Sequence, residues 1–208
     1  MEKRERKERE FNLRRAEILE QAGKIFAAKG FRNTAVAEIA GASGFAVGTL
    51  YQFFPSKERL YIAMLTEKLN LMYSSIRESV TRETDIARKI EVLVSAQFRF
   101  VESNAEFCSI FSRGDYLSIS NSEGSTELRQ RLMTDYAVHV SLTEELMREG
   151  IRVGLLKKMD PRLMATALRG VANAYASQWL TMGEGVSLLS YVPFVMDIFL
   201  EGVRKDAH

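Results

Sequence analysis

Cysteine occurs once in the 208 residues, at Cys108. That excludes an internal disulfide framework and any zinc site built on cysteines. Histidine occurs twice, at His139 and His208, so a histidine-based metal site is not expected either, and no cofactor is implied. There are three prolines and 13 glycines. With few helix breakers, and with Ala, Leu, Glu, Arg and Met plentiful, the balance favours helix over sheet. No apolar run reaches the ~18 residues of a membrane span. The opening MEKRERKEREFNLRRAEILEQ is charged and holds no apolar signal core, so no membrane partner and a cytoplasmic location are expected. What is present is 46% hydrophobic and 27% charged residues, the mixture of a globular chain with a core.

Charge is spread unevenly. The net charge is only +2, yet residues 1–60 hold 12 Lys/Arg against 8 Asp/Glu, while the remainder holds 17 against 19. A basic bias at one end points to a polyanion partner there, although Glu2, Glu5, Glu8 and Glu10 are interleaved with the basic residues. For an enzyme the sequence offers little. There is no nucleophile–base–acid arrangement and no metal cluster, and GEGVSL lacks the strand and Gly-rich turn of a nucleotide loop.

Apolar spacings of three and four through Ile18, Leu19, Ala22, Ile25 and Phe26 predict a first helix, with Gly30 as its stop. Thr34 is expected to cap a short second helix with Val36, Ile39 and Ala40 inward and Glu38 in its first turn. Gly44 then supplies the left-handed backbone of a sharp turn. A third short helix, about Ala46–Phe53, runs into Pro55, and Ser56 caps a long fourth helix. Helix, short helix, glycine turn, short helix is the helix-turn-helix arrangement, here about 34–53. Ile39, Phe45, Leu50 and Phe54 are expected inside. Ala46, Val47, Thr49, Gln52 and the edges of Tyr51 and Phe53 are expected outside. The rest also reads as helical, with Asp160 and Pro161 starting one helix. Pro193 is expected either to kink the last helix or to mark its late start.

The stretch TAVAEIAGASGFAVGTLYQFFPSKERLY resembles the DNA-binding segment of the TetR family of bacterial transcriptional regulators. The resemblance is carried by Ile39-Ala40, Gly44, Gly48-Thr49-Leu50-Tyr51, Phe54 and Lys57, and spans about residues 11–61. It implies an all-α protein of about nine helices: a three-helix DNA-binding domain at 1–60 and a larger effector-binding and dimerisation domain at 61–208. It also implies a homodimer formed through about 161–182 and 186–204. The expected function is repression at a palindromic operator, relieved by a small apolar or amphipathic ligand; the alternatives are a ligand-independent DNA-binding protein or an activator.

Double-stranded DNA is then the partner, and the residue types fit it. A major groove about 12 Å wide admits one short helix. Gly48 lets backbone come near DNA. Val47, in place of the family's frequent Lys, offers a methyl contact to thymine, and Ala46 stands where many members carry Ser. Thr49 offers a hydroxyl, Tyr51 a phenol for phosphate, and Gln52 a bidentate pair for adenine. Phe53 stands where many members carry His. Lys57, beside the free N–H groups of the fourth helix, makes a phosphate clamp, and Thr34 is expected to do the same on the other strand. The basic N-terminal arm is expected to add phosphate or minor-groove contacts. Beyond residue 85, large apolar residues are mostly core, with a ligand cavity expected among Phe98, Phe107, Phe111, Tyr136, His139, Tyr175, Gln178 and Trp179. The expected switch is a change in recognition-helix spacing when the fourth helix tilts.

Overall fold

The computed structural model describes residues 2–112, 125–182 and 185–203. Among them the chain is all-α, with nine α-helices and no strand. In order these are α1 (Glu2–Asn33), α2 (Val36–Ala42), α3 (Val47–Phe53), α4 (Lys57–Thr81), α5 (Ile86–Ser103), α6 (Ala105–Ser112), α7 (Ser125–Arg152), α8 (Pro161–Met182) and α9 (Val192–Val203). A 3-10 turn, Leu188–Tyr191, precedes α9. The helices divide into two compact units, residues 1–68 with 106–131, and residues 69–105 with 132–208.

The first unit is built around the buried stripe of α1, where Ile18, Ala22 and Phe26 have no exposure. That stripe repeats at the i, i+4 and i+8 spacing of one helical face. Tyr61 of α4 sets its ring edge-on to Phe26, centroids 4.8 Å apart, and lies 5.0 Å from Phe31. Helical backbone ends at Gly30, whose φ of 76° is left-handed, before the last turn through Asn33.

The turn from α2 to α3 is fixed by a complete Schellman motif. The Phe45 N–H donates to the Ala40 carbonyl at 2.9 Å and the Gly44 N–H to the Gly41 carbonyl at 3.1 Å. Gly44 has φ +73°, the conformation the sequence called for. Ile39, Leu50 and Phe54 are buried and Phe45 is half-buried, so the inner face is the expected one. Ser56 caps α4, accepting the Arg59 N–H at 3.2 Å.

In the second unit α5, α8, α9 and the 3-10 turn pack on one another. Ile90, Leu93, Val94 and Phe98 form the inward face of α5. Asp85 caps that helix, accepting the Arg88 N–H at 2.9 Å. Asp160 caps α8 through the Arg162 N–H at 2.8 Å, with Pro161 at the first helical position. Pro193 is the second residue of α9 and bends nothing; the 3-10 turn, held by the Glu102 carboxylate on Ser187 Oγ and the Leu188 N–H, occupies the turn before it. The segment between α7 and α8 is tied down by the Lys157 N–H on the Val203 carbonyl at 2.7 Å.

A second Schellman motif ends α7 at Gly154, φ +79°, through Leu155 N–H to Gly150 O and Gly154 N–H to Ile151 O. It folds Leu156, 1% exposed, directly over Gly150. A Cβ at Gly150 would stand 2.6 Å from Leu156 Cδ1 and 2.8 Å from Cγ. Gly150→Ala therefore destabilises the chain by about 1–3 kcal/mol, the overpacking outweighing the better helix propensity. A fall in the urea midpoint at unchanged slope is the expected reading.

Candidate nucleic-acid interface

With Leu50 turned inward at 1% exposure, helical geometry puts Gly48 and Gln52 on the opposite side of α3 and Thr49 and Tyr51 on its flanks. The structure agrees: Val47, Gly48, Tyr51 and Gln52 are exposed, and Thr49 is half-buried. Ala46 is exposed as the N-cap residue, its backbone extended at φ −70° and ψ 147°. No side chain caps this end. A Cβ at Gly48 would meet nothing within 4 Å, so no neighbour inside the chain requires a glycine there.

Lys57 opens α4 at the edge of this surface. Its Nζ lies 4.6 Å from the Phe31 ring centroid and donates to the Arg32 carbonyl at 3.3 Å. One carbonyl leaves two of the three ammonium protons for an anion, with the charge already held in place by the ring.

Two readings of the sequence change. The N-cap of α2 is Ala35, one residue beyond Thr34. Thr34 is 3% exposed and its hydroxyl donates back to the Gly30 carbonyl at 2.8 Å, closing the break in α1 instead of capping α2. The end of α2 is served by Glu38, whose carboxylate accepts the Ala35 N–H at 3.3 Å and pairs with Lys29. Lys29 first, then that N–H, holds the Glu38 carboxyl below its usual value. Phe53 is half-buried. Its ring stacks on Phe11 of α1, centroids 4.6 Å apart and planes at 26°, a partner the sequence reading missed.

The residues expected around a ligand fall in both units. Phe98 is fully buried in the second unit, and Phe107, 5% exposed, belongs to the first. The side chains of Phe111 and Tyr136 lie outside the described residues. Tyr175 stacks on Tyr191 at 5.4 Å and meets Phe194 edge-on at 5.8 Å. Trp179 Nε1 donates to the Val186 carbonyl at 2.7 Å, and exposed Gln178 reaches Met182 Sδ at 3.4 Å. Tyr175 and Trp179 serve the junction of α8 with the 3-10 turn and α9, while the Gln178 contact stays within α8.

His139 is different. It is 7% exposed and stacked on Tyr73, centroids 4.6 Å apart, and its Nδ1 is buried with no hydrogen-bond partner among the described residues. Burial first, then the charges of Arg169 and Arg77, push its pKa down to about 4. It is neutral at pH 7, and protonating it costs folding stability as pH falls from about 6.5 toward 4. Burial pushes the Cys108 thiol up to about 12 against the pull of Lys68, so the thiolate needed for redox chemistry does not form at neutral pH. Among the described residues no three His, Cys, Asp or Glu side chains group as metal ligands, and no helix is long and apolar enough to cross a membrane.

A capped helix, a glycine turn and a short helix with a bare outer side, followed by a separate helical unit, define a helix-turn-helix DNA-binding regulator with a helical C-terminal domain. Residues 18–64 match the family described as "Bacterial regulatory proteins, tetR family", and residues 65–202 match "YsiA-like protein, C-terminal region". The chain belongs to the TetR family of transcriptional regulators. It is 27% identical over 199 residues to the HTH-type transcriptional repressor KstR2 of Rhodococcus jostii (strain RHA1), covering 92% of each chain. The solved structure of the fatty acid degradation regulator FadR from Bacillus halodurans has a TM-score of 0.79 and 26% identity, over 91% of this chain and 95% of that one. FadR from Bacillus subtilis, solved in complex with stearoyl-CoA, has a TM-score of 0.77 and 21% identity, over 90% and 98%. These relatives are all named as regulators.

Proposed function

We propose that the protein is a homodimeric repressor that holds a palindromic operator through α3 and releases it when a long-chain acyl thioester, or an apolar ligand of similar size, binds the C-terminal domain. The observation that carries this is the outer side of α3: Val47, Gly48, Tyr51 and Gln52 exposed around a buried Leu50, with the Lys57 ammonium at its edge. Residues 1–60 are the DNA-binding domain and 61–208 the effector and dimerisation domain. Val47 and Gln52 read bases, and Ala46 and Gly48 let the backbone approach. Thr49 adds to the base reading, and Tyr51 and Lys57 hold phosphates. Thr34 and Phe53 shape the surface from within. Such a regulator works in the cytoplasm, where the operator is.

The ligand class draws support from the FadR relative that holds stearoyl-CoA, and repression from the KstR2 relative named a repressor. Neutral His139, with Nδ1 unpartnered, offers a buried ring nitrogen for a hydrogen bond to one polar group on an otherwise apolar molecule. Because α4 contributes residues to both units, a ligand that prefers one tilt of α4 shifts the spacing of the two α3 helices. It does so only by its difference in affinity for the two states.

The test is a mobility assay on an operator selected from random duplexes, with stearoyl-CoA, free stearate and free CoA added in turn. Release by the thioester at micromolar concentration, with free CoA inert, is the expected result. If none of the three changes operator affinity, ligand control by an acyl thioester is wrong and the ligand-independent reading takes its place.

A further inference from the structure

The first turns of α1 bury nothing. Every residue from Arg4 to Arg14 is exposed, and burial starts only at Ile18. A helical segment of this kind is marginal alone. Two contacts one turn apart hold it. The Phe11 ring stacks on Phe53, at the C-terminal end of α3. The Arg15 guanidinium sits 5.5 Å from the Phe54 ring centroid and pairs with Glu67.

These contacts settle which face of the extension looks toward the side of α3. At 100° per residue, Arg4 and Lys7 lie seven and four residues before Phe11, and Arg14 and Arg15 three and four after it, all on the same stripe. Glu8 is the one acid within it. Glu5 and Glu10 point well away, and Glu10 pairs with Arg6 on the far side at 3.9 Å. The modest charge excess of the N-terminal end thus resolves into a strongly basic stripe backed by a mixed face. At 1.5 Å per residue it reaches about 10 Å from Phe11 to Arg4, or about three phosphates along one strand.

We infer that this stripe, Arg4, Lys7 and Arg14, is a second DNA-contacting element that grips the sugar–phosphate backbone beside the groove entered by α3, positioned by the Phe11–Phe53 stack. The inference rests on α3 being the recognition helix. Its occupant follows from charge complementarity and from continuity with that surface. It is a helical clamp on phosphates rather than a flexible tail in the minor groove, so it adds affinity for any duplex and no base preference.

The experiment measures operator and scrambled-duplex affinity against salt for the full chain. Arg4→Gln, Lys7→Gln and Arg14→Gln together weaken both duplexes by a similar factor, about 10- to 100-fold at physiological salt. They also make the slope of log K against log salt shallower, by up to about five units for a two-fold dimer. Phe11→Ala, which keeps every charge, weakens both duplexes in the same direction, and Phe11→Tyr restores binding. Thr49→Ala instead lowers discrimination between the duplexes at a nearly unchanged slope, which separates failure of α3 from failure of the stripe. An unchanged slope in the triple variant overturns the inference, as does Phe11→Ala binding like the parent. So does binding of the parent to anionic vesicles, lost in the triple variant while its DNA slope stays the same, since that assigns the stripe to a lipid surface.

Discussion

Thr49→Ala, Tyr51→Phe and Lys57→Gln introduced together reduce operator affinity by roughly 1,000-fold or more. Each side chain is expected to hold a phosphate or base edge, and each such contact is worth about 1–3 kcal/mol. Two-fold symmetry makes every substitution count twice. The folded chain should scarcely notice. Thr49 and Lys57 are half-buried and Tyr51 is 45% exposed. The largest internal loss is the Lys57 charge over the Phe31 ring, about 0.5–1 kcal/mol. Thermal unfolding of the variant within a few degrees of the parent, with operator binding gone, is the outcome that places these residues in the groove. Gly48→Ala sharpens the point because its two effects have opposite signs. Nothing inside the chain meets the added Cβ, so α3 gains about 0.5–1 kcal/mol of helix propensity while DNA affinity falls.

Ile198→Glu with Phe194→Glu converts the dimer to monomers, read by analytical ultracentrifugation, and lowers operator affinity by about 100- to 10,000-fold through loss of bivalent binding. The physical basis is α9. Its Val195, Met196, Phe199 and Val203 are buried, yet Phe194 and Ile198, one turn apart, are 52% and 45% exposed on another face. On α8, Leu163 and Met182 are 66% and 76% exposed. Large apolar residues on both sides of a terminal helix mark a surface meant to be covered. Since Phe194 also meets the edge of the Tyr175 ring, Ile198→Glu alone serves as the control that leaves that contact intact. A variant that remains dimeric with both charges in place contradicts the use of α8 and α9 as the interface.

Legibility in the sequence followed the range of the interaction. The Gly44 turn, the Ser56 and Asp160 caps and the start of α8 at Pro161 depend on neighbours within five residues, and all were readable. So was the inward set Ile39, Leu50 and Phe54, because helical period alone places it. Thr34 misled because a threonine hydroxyl can bond forward as a cap or backward to the carbonyl four residues earlier. The nearby glycine carbonyl took it. The stack of Phe53 on Phe11 is not legible in the sequence because Phe11 lies 42 residues away in a stretch that reads as charged arm, and no local pattern links the two. Composition marks Tyr175 and Trp179 as large apolar residues but does not show their partners, Tyr191 and the Val186 carbonyl, at the junction with the 3-10 turn before α9. His139 was noticed as polar among valines; its stack on Tyr73, 66 residues away, and its unpartnered Nδ1 are products of the tertiary fold.

The central claim is that α3 enters the duplex twice, in a symmetric pair. Directed cleavage tests it most directly: Cys108→Ser with Gln52→Cys, an iron chelate attached at residue 52, and a selected operator as target. Two clusters of cuts facing the major groove, related by a dyad and separated by a whole number of duplex turns of about 34–36 Å, are the predicted result. A single cluster, or cuts scattered evenly along the operator by a protein that still binds it specifically, would contradict the account.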